Sequence, residues 1–175
     1  DAFYSSLEIS NKDKNAFFRI LDKKDKLKKE DFYQSLHDLG FNEEKIVYLN
    51  NFINGPADKD FAKILEDSKD LSDAYSEILS LVASLEVLGY GEFIEFDPAV
   101  IRGFDYYDGV VFEVFDRNPE NNRAMFGGGR YNGLAELFGE ENFPAIGFAP
   151  GDETMKLFLN SWNLVPANLS DYQDK

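Results

Sequence analysis

The 175 residues include no cysteine, one histidine (His37), one tryptophan and two methionines. Without cysteine there are no disulfides and no thiolate metal sites, which suits a reducing compartment; the cytoplasm is the expected location. One histidine leaves no cluster to hold zinc, so no bound protein metal is expected. No stretch approaches the roughly 20 apolar residues of a membrane helix, so no membrane partner is expected. The sequence begins at Asp1 with neither an initiator methionine nor a leader-like segment, as expected of a piece of a longer chain or a processed product. Basic residues are also scarce, 18 against 33 acidic ones, for a formal net charge of −15. Residues 1–90 hold 18 acids and 12 bases, net −6, and residues 91–175 hold 15 acids and 6 bases, net −9. Such a surface repels nucleic acid at long range, so any RNA contact needs a local basic patch.

What the sequence does contain is enough apolar material for a core: 43% hydrophobic and 15% aromatic residues. Two styles of patterning meet near Gly89. Before it, apolar residues recur at helical spacing. Phe17, Phe18 and Leu21 start one stripe. Phe32, Leu36 and Leu39 make a second, closed by Gly40. Ile46, Leu49, Phe52 and Ile53 make a third, ended by Gly55-Pro56, and Leu71, Tyr75, Ile78, Leu79, Val82 and Leu85 make the longest, ended by Gly89. Four short helices are expected. The run "KKDKLKK" (Lys23, Lys24, Lys26, Lys28, Lys29) is either a solvated face or a phosphate-contacting patch.

After Gly89 the period becomes that of strands. Glu92–Asp97, Gly109–Asp116, Arg123–Gly128 and Pro144–Gly151 read as strands, with "RNPENN" as a turn. "RYNGLAELFG" reads as a short helix, and "DETMKLFLNSW" as a longer one with Asp152 and Glu153 well placed in its first turn. The expected class is α+β: an antiparallel sheet with flanking helices, plus a small helical region.

Three clusters sit at ends of these strands. "IRGFDYYDGVVFEVFD" (Ile101 to Asp116) packs Arg102, Asp105, Tyr106, Tyr107 and Asp108 against an apolar run. An arginine fork suits phosphate or carboxylate, and adjacent tyrosines give flat walls tipped by hydroxyls, so the group suits a small anionic polar ligand. Pairing of Arg102 with Asp105 or Asp108, over core tyrosines, is the structural alternative. "FGGGRYNGL" (Phe126 to Leu134) puts three glycines in a strand, which fits close approach of a ligand or a tight bend. It is not a phosphate loop, since no Gly-Lys-Ser/Thr follows. "FPAIGFAPGDETM" (Phe143 to Met155) alternates small residues, leaving room for a flat group above the sheet or for close helix packing.

Together these motifs resemble the histidyl-tRNA synthetase family. "IRGFDYYDGVVFEVFD" looks like its histidine-specific motif, approximately R-G-L-D-Y-Y-T-G-x-V-F-E. "GGGRYNGL" is similar to G-G-R-Y-D-G-L, and "PAIGFAPGDETM" resembles its motif 3. The resemblance implies the antiparallel class II synthetase fold, with residues 1–90 as a mostly helical insertion region, residues 91–165 as the second half of the catalytic domain, and residues 166–175 as a linker toward an anticodon-binding domain. It implies activation of histidine with ATP and Mg2+, followed by transfer to tRNA(His), by a homodimeric full-length protein. Arg102 matches the arginine on the α-phosphate and the histidine carboxylate. Tyr106, Tyr107 and Tyr131, with Gly128 and Gly129, match the histidine site. Gly147 and Gly151 match the glycines under ATP, joined by Thr154, which stands where the family pattern has an ATP-binding arginine. Lys156 is a nearby cation. Asp108 replaces the usual threonine and is expected to hold Arg102 or favour a cationic substrate. Motifs 1 and 2 are absent, so the isolated chain is expected to be inactive. Retained Arg102 favours a synthetase. Lost motif 3 arginine favours an inactive paralogue, such as the histidine-sensing regulatory subunit of ATP phosphoribosyltransferase. A third reading is an interaction module working through the acidic helical region.

Overall fold

The computed structural model describes residues 3, 6, 7, 9–100 and 106–166. The chain divides into two compact units, Asp1–Ile101 and Arg102–Lys175.

The first unit is helical. Helix α1 (Asn11–Leu21) leads through a 3₁₀ turn (Lys24–Lys26) into α2 (Lys29–Asp38) and then α3 (Glu43–Ile53). A second 3₁₀ turn (Gly55–Ala57), the short α4 (Phe61–Glu66) and the long α5 (Lys69–Val87) complete it. The ends follow from the sequence. The Asn42 side chain accepts the Lys45 N–H at 2.9 Å, capping α3, and Ser68 accepts the Leu71 N–H at the start of α5. At Gly40 (φ 92°) the chain turns left-handed. The Gly40 N–H bonds back to His37 O, and the Phe41 N–H to Leu36 O. Gly89 (φ 86°) repeats the arrangement after α5, with Tyr90 N–H on Leu85 O. Both are Schellman ends, for which glycine avoids the Cβ penalty.

The apolar stripes converge on one core, in which Phe17, Leu36, Ile46 and Leu49 are at most 1% exposed. Phe17 stacks on Phe41 at 5.4 Å between centroids. Each such side chain contributes about 1.5–3 kcal/mol by leaving water. Two expectations change here. The short α4 does not announce itself in the sequence, because six residues show only one apolar repeat, Phe61 and Ile64, both buried. Residues 92–97 do not form the expected strand. Gly91–Phe93 is a 3₁₀ turn, and the chain is extended at Ile94 without entering a ladder. A strand needs a neighbour, and among the described residues this segment has none. Its alternation instead points Phe96 into an aromatic group with Phe61 and Tyr75, 6.3 and 5.1 Å away.

The second unit is an antiparallel sheet in the order β1-β2-β3, formed by β1 (Val111–Val114), β2 (Phe126–Tyr131) and β3 (Ala145–Pro150). Gly129 is paired with Val111 on one side and Gly147 on the other. The strand expected over Arg123–Gly128 lies three residues later at both ends. After β2 comes a 3₁₀ turn (Leu134–Phe138) in place of the expected short helix, and after β3 comes α6 (Asp152–Ser161).

The β1–β2 loop is gathered by one carboxylate. Asp116 accepts the Asn118 N–H at 3.0 Å, the Asn121 side-chain amide at 2.5 Å and the Trp162 indole N–H at 2.8 Å. Asn121 also donates to Ser161 Oγ. The hairpin loop is thereby tied to the end of α6. Partial desolvation pushes the Asp116 pKa up, but these donors and the Arg117 N–H outweigh it and hold the carboxyl below its usual range.

Candidate active site

The site grows from β2 and the segment before β1. At residue 130 the ladder carries a bulge: the N–H groups of Asp108 and Gly109 both bond to Arg130 O, at 3.2 and 3.3 Å, while the Arg130 N–H bonds to Val110 O. Two residues thus oppose one, which bends the chain and redirects the side chains just before it. Gly109 fits beside the Arg130 stem, where a Cβ would come within 3.0–3.2 Å of three side-chain carbons.

That redirection brings three tyrosines together. The rings of Tyr106 and Tyr107 lie 4.6 Å apart between centroids, with their hydroxyls 3.5 Å apart. Tyr131 meets Tyr106 edge-on at 5.5 Å and Tyr107 at 6.1 Å. All three are half-buried. Their floor is glycine. A Cβ on Gly129 would lie 2.7 Å from the Tyr107 ring, and one on Gly147 would lie 2.8 Å from the Tyr131 hydroxyl. A Cβ on Gly128 would lie 2.1 Å from Gly147 O, inside the β3 backbone. The room that the glycines leave is therefore taken by this chain's own rings and main chain. Gly128 and Gly129 are a condition for tyrosines and strands to meet, which is more specific than an opening for a ligand.

The remaining sequence candidates separate. Gly147 lies under Tyr131, within the tyrosine cluster. Gly151 and Thr154 lie past the other end of β3, where Gly151 N–H bonds to Met125 O and the Thr154 hydroxyl shares its one proton between Met125 O and Gly151 O, both 3.1 Å away. A Cβ on Gly151 would press on Thr154 Oγ1 at 2.7 Å. Thr154 therefore ties the start of α6 to the start of β2. Lys156 is exposed on α6. Arg102 lies outside the described residues, as does Asp105. Among the described residues no three His, Cys, Asp or Glu side chains are grouped to hold a metal ion.

In the helical unit, Lys23, Lys26, Lys28 and Lys29 are exposed and Lys24 is half-buried. Lys26 lies 3.7 Å from Asp22, and the Lys29 ammonium sits over the Tyr33 ring at 5.4 Å. No helix among the described residues is long and apolar enough to cross a membrane.

Asp108 does something the sequence does not reveal. Its carboxylate accepts the Asn132 N–H on both oxygens at 2.9 Å, the Asn132 side-chain amide at 2.8 Å and the Gly133 N–H at 2.9 Å. Its hydrogen bonds to these groups join the chain before β1 to the turn after β2. Spacing could not disclose this, because 24 residues separate the partners.

A family profile described as histidyl-tRNA synthetase matches residues 1–154. The chain is 34% identical over 166 residues to the histidine–tRNA ligase of Leptospira biflexa serovar Patoc, covering 94% of this chain and 37% of that protein. It is 37% identical over 171 residues to the histidine–tRNA ligase of Pyrococcus furiosus, covering 95% of this chain and 39% of that protein. The chain thus spans well under half the length of these relatives. The histidyl-tRNA synthetase of Nostoc sp. PCC 7120 shares the fold, with a TM-score of 0.74 and 24% identity over 94% of this chain and 40% of that one. A Bacillus halodurans protein described as an ATP phosphoribosyltransferase regulatory subunit/histidyl-tRNA synthetase shares it less closely, with a TM-score of 0.63 and 22% identity over 88% of this chain and 39% of that one. From the motifs and the extent of the profile match, the chain belongs to the histidyl-tRNA synthetase family.

Proposed function

We propose that this chain supplies the histidine-recognising half of the catalytic domain of a histidine–tRNA ligase. The observation that carries the reading is the convergence of Tyr106, Tyr107 and Tyr131 over Gly129 and Gly147. Aromatic walls with hydroxyl tips suit a flat imidazole that needs both stacking and hydrogen bonds. Gly128 serves the same site by letting β3 approach β2.

In this reading a histidine carboxylate oxygen attacks the α-phosphorus of Mg-ATP. Pyrophosphate leaves, and the histidyl-adenylate passes its acyl group to a ribose hydroxyl of tRNA(His), releasing AMP. Arg102 offsets the negative charge that develops on the phosphate. Gly151 and Thr154 border the nucleotide, with Gly147 on the histidine side of it. ATP and Mg2+ are substrates here, and the rest of the nucleotide site lies in the remaining length of the protein. Residues 1–90 act as an insertion region whose lysine run touches tRNA, residues 91–165 as catalytic domain, and residues 166–175 as a linker to an anticodon-binding domain. The full-length protein works as a cytoplasmic homodimer, and the 175 residues alone do not aminoacylate tRNA.

One observation favours a second reading. Thr154 replaces the motif 3 arginine, and its hydroxyl is committed to the backbone. An inactive, histidine-sensing paralogue accounts for that. Histidine-dependent pyrophosphate exchange by the full-length protein decides: exchange supports the ligase, whereas histidine binding without exchange supports the paralogue.

A further inference from the structure

The Asp108 carboxylate bonds at a specific location. Asp108 directly follows Tyr107, and Asn132 directly follows Tyr131. Two rings of the tyrosine cluster are thus each one step from the two residues that bond to each other. Asn132 also links outward, since its Oδ1 accepts the Arg130 Nε–H at 3.1 Å while its amide nitrogen donates to Asp108. The result is a continuous chain of carboxylate, amide and guanidinium across the bulge. In the pair as it stands, one carboxylate faces one carboxamide, so that donors and acceptor are matched.

We propose that Asp108 and Asn132 are a positioning pair for the substrate amino acid: their bonds fix the separation of Tyr107 and Tyr131, and one carboxylate shared between the two positions is the condition for it. In this proposal the pair acts through the two rings, on the amino-acid side of the site. Its loss therefore acts on the affinity for histidine and leaves the affinity for ATP alone. The proposal rests on the histidine–tRNA ligase reading for its kinetic test, but the spacing of the rings is independent of that reading.

The test compares Asp108→Ala, Asn132→Asp and the exchange Asp108→Thr/Asn132→Asp in the full-length protein. Asp108→Ala is expected to raise the KM for histidine about tenfold, the effect of losing roughly one charged hydrogen bond, with the KM for ATP within about twofold. Asn132→Asp alone opposes two carboxylates and is expected to cost at least as much. The exchange variant restores a single carboxylate and is expected to return the histidine KM to within about threefold of the parent, against the tenfold loss. An unchanged histidine KM in Asp108→Ala, an equal rise in both KM values, or an exchange variant no better than Asn132→Asp would overturn the proposal. Crystal structures of the full-length parent and of Asp108→Ala give the second readout. The Tyr107–Tyr131 centroid separation, 6.1 Å here, is expected to change by about 1 Å or more, beyond ordinary ring adjustment in a packed site; an unchanged separation overturns the proposal. If the parent neither exchanges pyrophosphate nor binds histidine, the ligase reading fails, and the ring separation alone decides the positioning role.

Discussion

The two units differ in how they bury apolar side chains, and the candidate site lies in only one of them. Of the hydrophobic side chains buried among the described residues, all but Met125 belong to the helical unit. The sheet unit has no such core among the described residues and exposes Phe115, Phe138, Phe143, Ile146 and Phe148, although its ladder is fully registered. Backbone pairing and the turn network of Asp108 and Asp116 give that sheet its geometry, while hydrophobic burial gives the helices theirs. A hydrogen-bond scaffold specifies positions well but contributes modestly to net stability. The helical unit is thus built to persist, and the sheet unit to place side chains.

Substitutions can break that division. The largest effect is expected at the chemical end: Arg102→Ala in the full-length protein should lower adenylate formation about 10²- to 10³-fold, about 3–4 kcal/mol of transition-state stabilisation. Pyrophosphate exchange measures it, and a loss below about fivefold would remove Arg102 from its role. Next comes Leu36→Ala, at a site with 0% exposure, which should cost about 2–5 kcal/mol in urea unfolding. Phe148→Ala, at 63% exposure, should cost under about 1 kcal/mol. Equal costs would dissolve the contrast. Gly128→Ala should cost about 1–3 kcal/mol by forcing β2 off β3, read as faster amide exchange along both strands. Replacing Lys23, Lys24, Lys26, Lys28 and Lys29 by glutamine should weaken tRNA binding and flatten its salt dependence, by about 0.7–0.9 in log–log slope for each phosphate that is no longer neutralised. An unchanged slope makes the run a solvated face.

The smallest effect concerns pH. The Asp116 carboxyl is held below its ordinary value in the folded state. Its stabilisation is therefore present above the unfolded value, near 3.8, and is lost as pH falls through the lower, folded one. Trp162 is the only tryptophan and donates to Asp116, so its fluorescence should report that acid step. Asp116→Asn should abolish the step while leaving the helical unit unchanged.

How far the sequence disclosed all this depends on range. Period 3.6 located α1, α2, α3 and α5, and Gly40 and Gly89 marked the ends of α2 and α5, because caps and stripes are local. The six-residue α4 was too short to show a period. The alternation of Glu92–Asp97 read as a strand because side-chain pattern is local while pairing is not. At the site, motif order singled out the tyrosines and glycines as candidates, and the folded sheet shows Tyr106, Tyr107 and Tyr131 beside Gly129 and Gly147. The fit of Gly129 to Tyr107, the bulge at Arg130 and the Asp108–Asn132 bonds stayed hidden, since each joins residues about twenty or more apart through a register that no spacing encodes.

The glycine floor also carries a consequence for substitution over time. The Tyr107 ring rests on a bare main-chain surface at Gly129, and the Tyr131 hydroxyl on another at Gly147. The seat of both rings is therefore gauged by backbone atoms, and a substitution moves it only where, as at Gly128, it shifts a strand. Side chains around it are free to drift, yet where the two rings sit is written into the main chain itself.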